Sequence, residues 1–528
     1  MTTSLSKKVT FAALIMMASV LASRVIGLLR EMVIAHLGGA AGEVDAYNVA
    51  FVIPEILNHV VASGFLSITF IPIFSQYLAA NHEDEGWKVF SIIFSVFGVL
   101  LALLVAAAWW WAPELVALVA PGLTDPGHRA AAIRMTRIIM PAQLCFFFGG
   151  LLMAVQFAKE RFTLPALAPL LYNLGIILGG VLLYRWLGME GFAWGVLAGA
   201  LAGNLLVQYA GARRVGMRLR WRFTLTHPDL KRYVLLTLPL MVGLTMTFST
   251  EFFTRFFGSF LPEGSIASLN YGLRVMLILV GFFGQAAGVA SYPYLARLIA
   301  EGRLAEMNRL LNDTLRRYIA LVIPVATLMM VLSREVIRLL FQRGRFDQQA
   351  TALTAEVLVF LLIGAFAFAA QTVVVRGYYA TQNTLFPTIV GTLAVLASVP
   401  LYWLGTTQMG IHGLALAVSV SAVLQSGLLY LLWNRRSGNI ESRFVYLLFG
   451  KLLLLSAVVG AMSWGMRTVV LRFLDPASLF DSLLMCLIIG SIFTGLFVAA
   501  GLALRVQEVI SASKQIGRKL KLVSRREG

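Results

Sequence analysis

Cysteine is nearly absent from this chain. Its 528 residues hold two, Cys145 and Cys486, both inside apolar runs. No disulfide framework or thiolate metal cluster can be built from them. Charge is scarce too: Asp, Glu, Lys and Arg make up 13% of the residues, against about 25% in soluble domains. The shortage falls on the acids, 25 against 43 bases. Histidine occurs six times and never as HExxH, and there is no Walker loop, zinc spacing or nucleophile elbow. These absences exclude a soluble globular domain, a disulfide-stapled secreted protein and ATP hydrolysis by this chain. They argue against an enzyme and against a bound metal.

What the chain has instead is apolar length. Hydrophobic residues make up 59% of it, and the mean hydropathy is strongly positive. Runs of about 20 apolar residues, each long enough to cross a bilayer as a helix, recur almost throughout. The alternating ten-residue segments of a membrane β-barrel do not occur. The expected fold is an all-α polytopic membrane protein with about fourteen transmembrane helices. The expected spans are 10–37, 47–78, 88–111, 131–157, 163–184, 191–211, 231–257, 267–296, 314–332, 353–380, 386–404, 411–433, 447–470 and 482–504. Lys7 and Lys8 precede a long run interrupted by Arg24, which reads as a retained first span rather than a cleaved signal.

A net charge of +18 raises the question of nucleic acid, and its distribution answers it. The bases gather in short loops such as GARRVGMRLRWRF and WNRRSGNIESRF and in the tail RVQEVISASKQIGRKLKLVSRREG. With alternating spans these fall on one side, which the positive-inside rule makes cytoplasmic, together with both termini. The segment SREVIRLLFQRGRFDQQATALT opposes the trend with Arg334, Arg338, Arg343 and Arg345, and its spacing suggests an amphipathic interfacial helix.

An internal repeat runs through the chain. FIPIFSQYLAANHEDEGWKVF aligns with SYPYLARLIAEGRLAEMNRLL, placing Pro72 on Pro293. QFAKERFTLPALAPLLYNLGIIL aligns with YYATQNTLFPTIVGTLAVLASVP, placing Ala158 on Ala380 and Pro165 on Pro387. The nearly constant offset implies two lobes of six helices related by a parallel repeat, 1–225 and 226–440, then two extra C-terminal helices in 441–504 and a basic tail, 505–528. Duplicated halves characterise transporters that alternate access around a site at the repeat interface.

Charges at bilayer depth are the candidate site, since each costs roughly 2.5–3.5 kcal/mol at a helix centre on insertion scales. The first two spans carry Arg24, Arg30, Glu31, Asp45, Glu55 and His59. Arg24 and Glu31 are seven residues apart and point within about 20° of each other on a helix. Glu55/His59 and Glu251/Arg255 are i,i+4 pairs, and Arg274 sits in SLNYGLRVMLILVG. So many charges are expected around a water-filled cavity rather than against lipid. For Glu55, His59, Glu251 and Arg255 two readings stay open, cavity lining or pairing across helices. Arg134, Arg137 and Arg376 lie near span ends, where snorkelling accounts for them. Arg24, Arg30 and Arg274 outnumber their acidic neighbours, and spare guanidinium forks suit a phosphate-bearing substrate.

SRVIGLLRE, DAYNVAFVIPEIL and FIPIF resemble the opening of the MurJ/MviN family, the lipid II flippases of the multidrug/oligosaccharidyl-lipid/polysaccharide exporter superfamily. RFTLPALAPLLYN, GSIASLNYGLRV, LLFQRGRFD and RGYYATQNTLFPT resemble later blocks, so the likeness covers essentially the whole chain. It implies an inner-membrane flippase moving undecaprenyl-pyrophosphate-linked muropeptide (lipid II) outward by alternating access, with the last two helices forming a lipid-tail groove. It implies that Arg24, Arg30 and Arg274 bind the pyrophosphate while Glu31 and Asp45 orient them or gate the cavity. Membrane potential or a monovalent cation would drive transport, with no resident cofactor. The implied partners are the lipid-linked glycan, membrane lipids and cell-wall synthesis proteins, not nucleic acid. The chain departs from the family at Asn58 and His59, where basic residues are common, and at Leu277, where an acid follows the eighth-span arginine; Glu251 and Arg255 match no family pattern. Another polyprenyl-linked glycan, a cation-coupled multidrug exporter and a non-transporting envelope scaffold remain as alternatives.

Overall fold

The computed structural model describes residues 2–59, 65–242, 245–281, 286–475 and 478–511. The basic tail from residue 512 onward lies outside the described residues, as do parts of the expected spans 47–78, 231–257 and 267–296. Regular structure among the described residues is entirely helical. Eight of those helices are long and apolar enough to cross a bilayer, or nine if the pair Gln348–Leu362 and Ala365–Ala380, bent by 42°, is one span. Seven of them, from Glu83–Trp110 to Leu479–Ala503, overlap single expected spans. The eighth, Leu385–Ser437, has 53 residues, far more than the roughly 20 that one crossing requires. It is interrupted at Gly410, whose φ of 59° is open to a residue without a Cβ. The chain doubles back there, between the expected spans 386–404 and 411–433, with Gly405 and Gly413 meeting backbone to backbone.

Contacts divide the chain into two compact units, Met1–Ala267 with Arg343–Phe346, and Ser268–Gln342 with Asp347–Gly528. In the first unit, Thr163–Leu187 turns Leu178 and Leu182 outward, both more than half exposed, as a lipid-facing surface requires. Its other face carries Gly175 and Gly179, which lie against the backbone of Gly195 and Gly199. Lipid tails are as apolar as leucine, so such close small-residue contact is what drives helix association in a bilayer. One polar knot lies in the same unit. A π-helical turn, Ala200–Leu206, releases the Gly203 carbonyl, and Gln208 Nε2 donates to it at 3.0 Å. Gln208 Oε1 in turn accepts from Gln156 Nε2 at 3.1 Å, leaving the buried amides satisfied.

The second unit is tied by side-chain amides and one buried ion pair. Asn312 Oδ1 accepts from Tyr430 Oη at 2.8 Å and from Asn439 Nδ2 at 3.0 Å, and Trp433 Nε1 donates to Asn308 at 3.0 Å. The segment expected to lie in the interface forms the helix Ser333–Phe341, with Glu335 and Arg338 each 3% exposed. Glu335 pairs with Arg467 at 2.6 Å, and Arg338 donates to Ser482 at 3.2 Å. These charges face protein, because each finds a partner on the packed helices that the interface would not supply.

Candidate functional site

The Thr2–Gly38 helix presents Arg24, Arg30 and Glu31. Arg30 pairs with its chain neighbour Glu31 at 2.5 Å, and Glu31 is 4% exposed. Arg30 Nη1 also donates to Asn173 Oδ1 at 3.1 Å. The amide of Asn173 is set by its other end, whose Nδ2 donates to Pro169 O at 2.9 Å and to Ser23 Oγ at 3.4 Å. With those donors occupied, the oxygen faces the guanidinium. The Arg30 Nε–H is buried and has no acceptor among the described residues. Arg24 is exposed on the same helix. An exposed arginine in mid-span needs water beside it, not lipid.

A second cluster joins residues 200 apart in sequence. Arg255, on Thr245–Gly258, is 5% exposed and pairs with Glu55 at 2.5 Å; Glu251 lies 3.9 Å away on the same helix. His59 Nδ1 is 2.7 Å from the backbone oxygen of Glu55. Glu31 is close enough for its charge to act on Arg255 as well. In the first unit, Arg30 and Arg255 therefore meet Glu31, Glu55 and Glu251. Arg255 is held by two carboxylates.

Asp45 makes its hydrogen bonds to the backbone. It is 4% exposed and accepts two backbone N–H bonds, from Gly264 at 2.6 Å and Ala267 at 2.7 Å. Ala267 is in the first turn of helix Ser265–Val280, so Asp45 caps that helix from a distant part of the chain. The cap suits the positive end of the helix dipole. Two neighbouring contacts hold the same loop: Gly122 N–H donates to Ser259 Oγ at 3.0 Å, and His128 Nδ1 lies 3.4 Å from Glu263. Further along this helix comes Arg274, half-buried and counted with the second unit.

Sequence reasoning missed two groups. Asn173 is a single amide in an apolar run, LLYNLG, and its polarity was the available signal. Arg345 was expected in an interfacial helix. It belongs instead to the first unit, where its N–H donates to His36 O at 2.9 Å and its Nη1 to Tyr184 Oη at 2.8 Å. Gly39 and Gly344 permit that approach, since a side chain at either would strike Arg345 or His36.

The chain matches the family lipid II flippase MurJ over residues 34–485. A curated relative named "Lipid II flippase MurJ", from Burkholderia cenocepacia, is 29% identical over 455 residues, covering 84% of this chain and 87% of the relative. Another, from Rhizobium meliloti and named "Probable lipid II flippase MurJ", is 28% identical over 463 residues, covering 84% and 85%. Among solved structures, a lipid II flippase MurJ in an inward closed conformation superimposes with a TM-score of 0.75 at 22% identity, covering 93% of this chain and all of that one. An inward-facing multidrug resistance transporter of the MATE family and MOP superfamily gives 0.67 at 12% identity, covering 80% and 96%. These last two likenesses establish a shared all-helical fold.

Proposed function

Because the chain belongs to the lipid II flippase MurJ family, we propose that it carries lipid II from the cytoplasmic to the outer leaflet of a bacterial inner membrane. It works by alternating access and makes or breaks no covalent bond. The observation that carries the reading is the half-used guanidinium of Arg30. Glu31 and Asn173 hold the group in place, and its buried Nε–H is left without an acceptor among the described residues. A pyrophosphate oxygen fills that vacancy and competes with Glu31 for the rest of the fork, a charge-assisted exchange suited to guanidinium. Arg24 and Arg274 supply the remaining positive charge, and Asp45 gates by capping or releasing the helix that leads to Arg274. The polyprenyl tail, too long to enclose, stays in the bilayer beside the C-terminal helices of 441–504.

The architecture that goes with this reading has fourteen helices in two six-helix lobes plus two, both termini cytoplasmic. Membrane potential or a monovalent cation gradient drives the cycle. Cell-wall synthesis proteins that consume the substrate are the natural neighbours.

Complementation tests the reading. A bacterial host depleted of its own lipid II flippase receives the wild type, Arg30→Ala, Arg30→Lys or Arg274→Ala at equal membrane levels. Wild type restores growth and the three variants do not. The lysine fails because a point charge cannot serve Glu31, Asn173 and a phosphate at once. Well-expressed wild type without rescue would overturn lipid II as substrate and direct attention to another polyprenyl-linked glycan. Full rescue by Arg30→Ala would remove Arg30 from the site.

A further inference from the structure

The second unit contains a cleft of about 700 Å³ between helices Leu304–Val331 and Leu479–Ala503, closed at one end by residues 507–511. That is within the range of small-molecule pockets, roughly 300–1,000 Å³. None of its walls comes from Ser442–Val470. It is therefore distinct from a groove between the last two helices.

One face of Leu304–Val331 supplies a graded wall, running from Asp313 through Arg316 and Arg317 to Leu321, Pro324 and Leu328. Steps of three and four residues keep these on one side of the helix. Beyond Arg317 the wall is apolar, and Phe493 and Phe497 face it from the other helix. The charged end is incompletely used. Arg316 pairs with Glu508 at 2.6 Å and more loosely with Asp313 at 3.7 Å. Its Nε–H is buried without an acceptor among the described residues. Arg317 is exposed and makes no ion pair among the described residues. Asp313 is 58% exposed.

We propose that this cleft binds a glycerophospholipid whose headgroup carries both a phosphate and a primary ammonium, the phosphoethanolamine class. The mouth holds two cations and two carboxylates, so a purely anionic headgroup meets Asp313 and Glu508 as like charges. A trimethylammonium headgroup brings no N–H donor for them. The order of charges decides the fit. Asp313 lies three residues, about 4.5 Å along the axis, on the water side of Arg316. In phosphoethanolamine lipids the ammonium likewise lies outside the phosphate, and the phosphate outside the acyl chains. The phosphate takes Arg317 and the free Arg316 Nε–H, the ammonium takes Asp313, and an acyl chain lies along Leu321, Pro324 and Leu328 against the two phenylalanines. Bound there, the lipid links residues 507–511 to the transmembrane helices.

Native mass spectrometry of the full chain, delipidated in detergent, tests this with phosphatidylethanolamine, phosphatidylcholine and phosphatidylglycerol of identical acyl chains. The ethanolamine lipid binds about tenfold tighter than the other two, one good charged hydrogen bond's worth. Arg317→Gln, a change at an exposed residue that leaves the fold intact, weakens it by about the same factor. Asp313→Asn erases the preference over choline without weakening the choline lipid, and Leu321→Trp, which fills the apolar end, weakens all three. Phosphatidylglycerol binding as tightly as phosphatidylethanolamine would overturn the proposal. So would unchanged binding in Arg317→Gln, or displacement by equimolar undecaprenyl phosphate, which would make the cleft part of the tail path.

Discussion

Replacing Arg255 by Met isolates what the buried cluster contributes. The arginine is 5% exposed and holds Glu55 at 2.5 Å and Glu251 at 3.9 Å. Methionine keeps the volume and removes the charge that Glu55 and Glu251 face. Breaking one side of a buried pair costs roughly 3–5 kcal/mol. Here the acids are 23% and 33% exposed, so water recovers part of the loss and the low end, about 3 kcal/mol, applies. A domain of 150–250 residues shifts its melting point by roughly 2–4 °C per kcal/mol. The first unit is larger, so about 2 °C per kcal/mol, or roughly 6 °C in all, is expected. The assay is thermal unfolding of the purified chain in detergent, followed by loss of the monodisperse chromatographic peak. The triple variant Glu55→Gln, Glu251→Gln, Arg255→Met should recover most of the shift, because neutral amides in place of the acids no longer need the guanidinium. An unshifted Arg255→Met that is nonetheless inactive would refute the reasoning. It would show that the acids do not depend on Arg255 and that the arginine serves the substrate.

Two further outcomes follow from the same geometry. Asp45→Asn keeps one acceptor oxygen but turns an NH₂ toward the other backbone donor, leaving Gly264 or Ala267 unpaired at a cost of about 1–3 kcal/mol; the melting point should fall by a few degrees, and an unchanged value would mean the cap is dispensable. Gly179→Val drives a side chain onto the Gly195 backbone and should abolish monodisperse folded protein, whereas Gly450→Val, with open space around it, should fold normally; equal behaviour of the two would refute the close helix contact.

Some of this was legible one residue at a time. Apolar runs of bilayer length announce membrane helices because the bilayer core must be crossed with every backbone group bonded internally. Arg30 and Glu31 stood out because charges in such runs are costly. Partner choice was not legible. Glu31 pairs with Arg30, its chain neighbour, a pairing that helix-face spacing does not suggest. Arg255 lies one turn from Glu251 but sits closer to Glu55, 200 residues away. Asn173 gave little warning, since one amide in an apolar helix looks alike whether it is idle or holds a guanidinium.

The sequence by itself therefore determined the class, the membrane setting, the family and which ionisable residues needed an explanation. All of these follow from composition and order along the chain. Tertiary structure decided which charges meet, that Arg338 and Glu335 turn inward, that Arg345 joins the first unit, and that Asp45 caps a distant helix. The physical reason is the same in each case. A buried charge takes the partner that packing brings within about 3 Å, and packing depends on where glycines, turns and helix ends allow two backbones to approach.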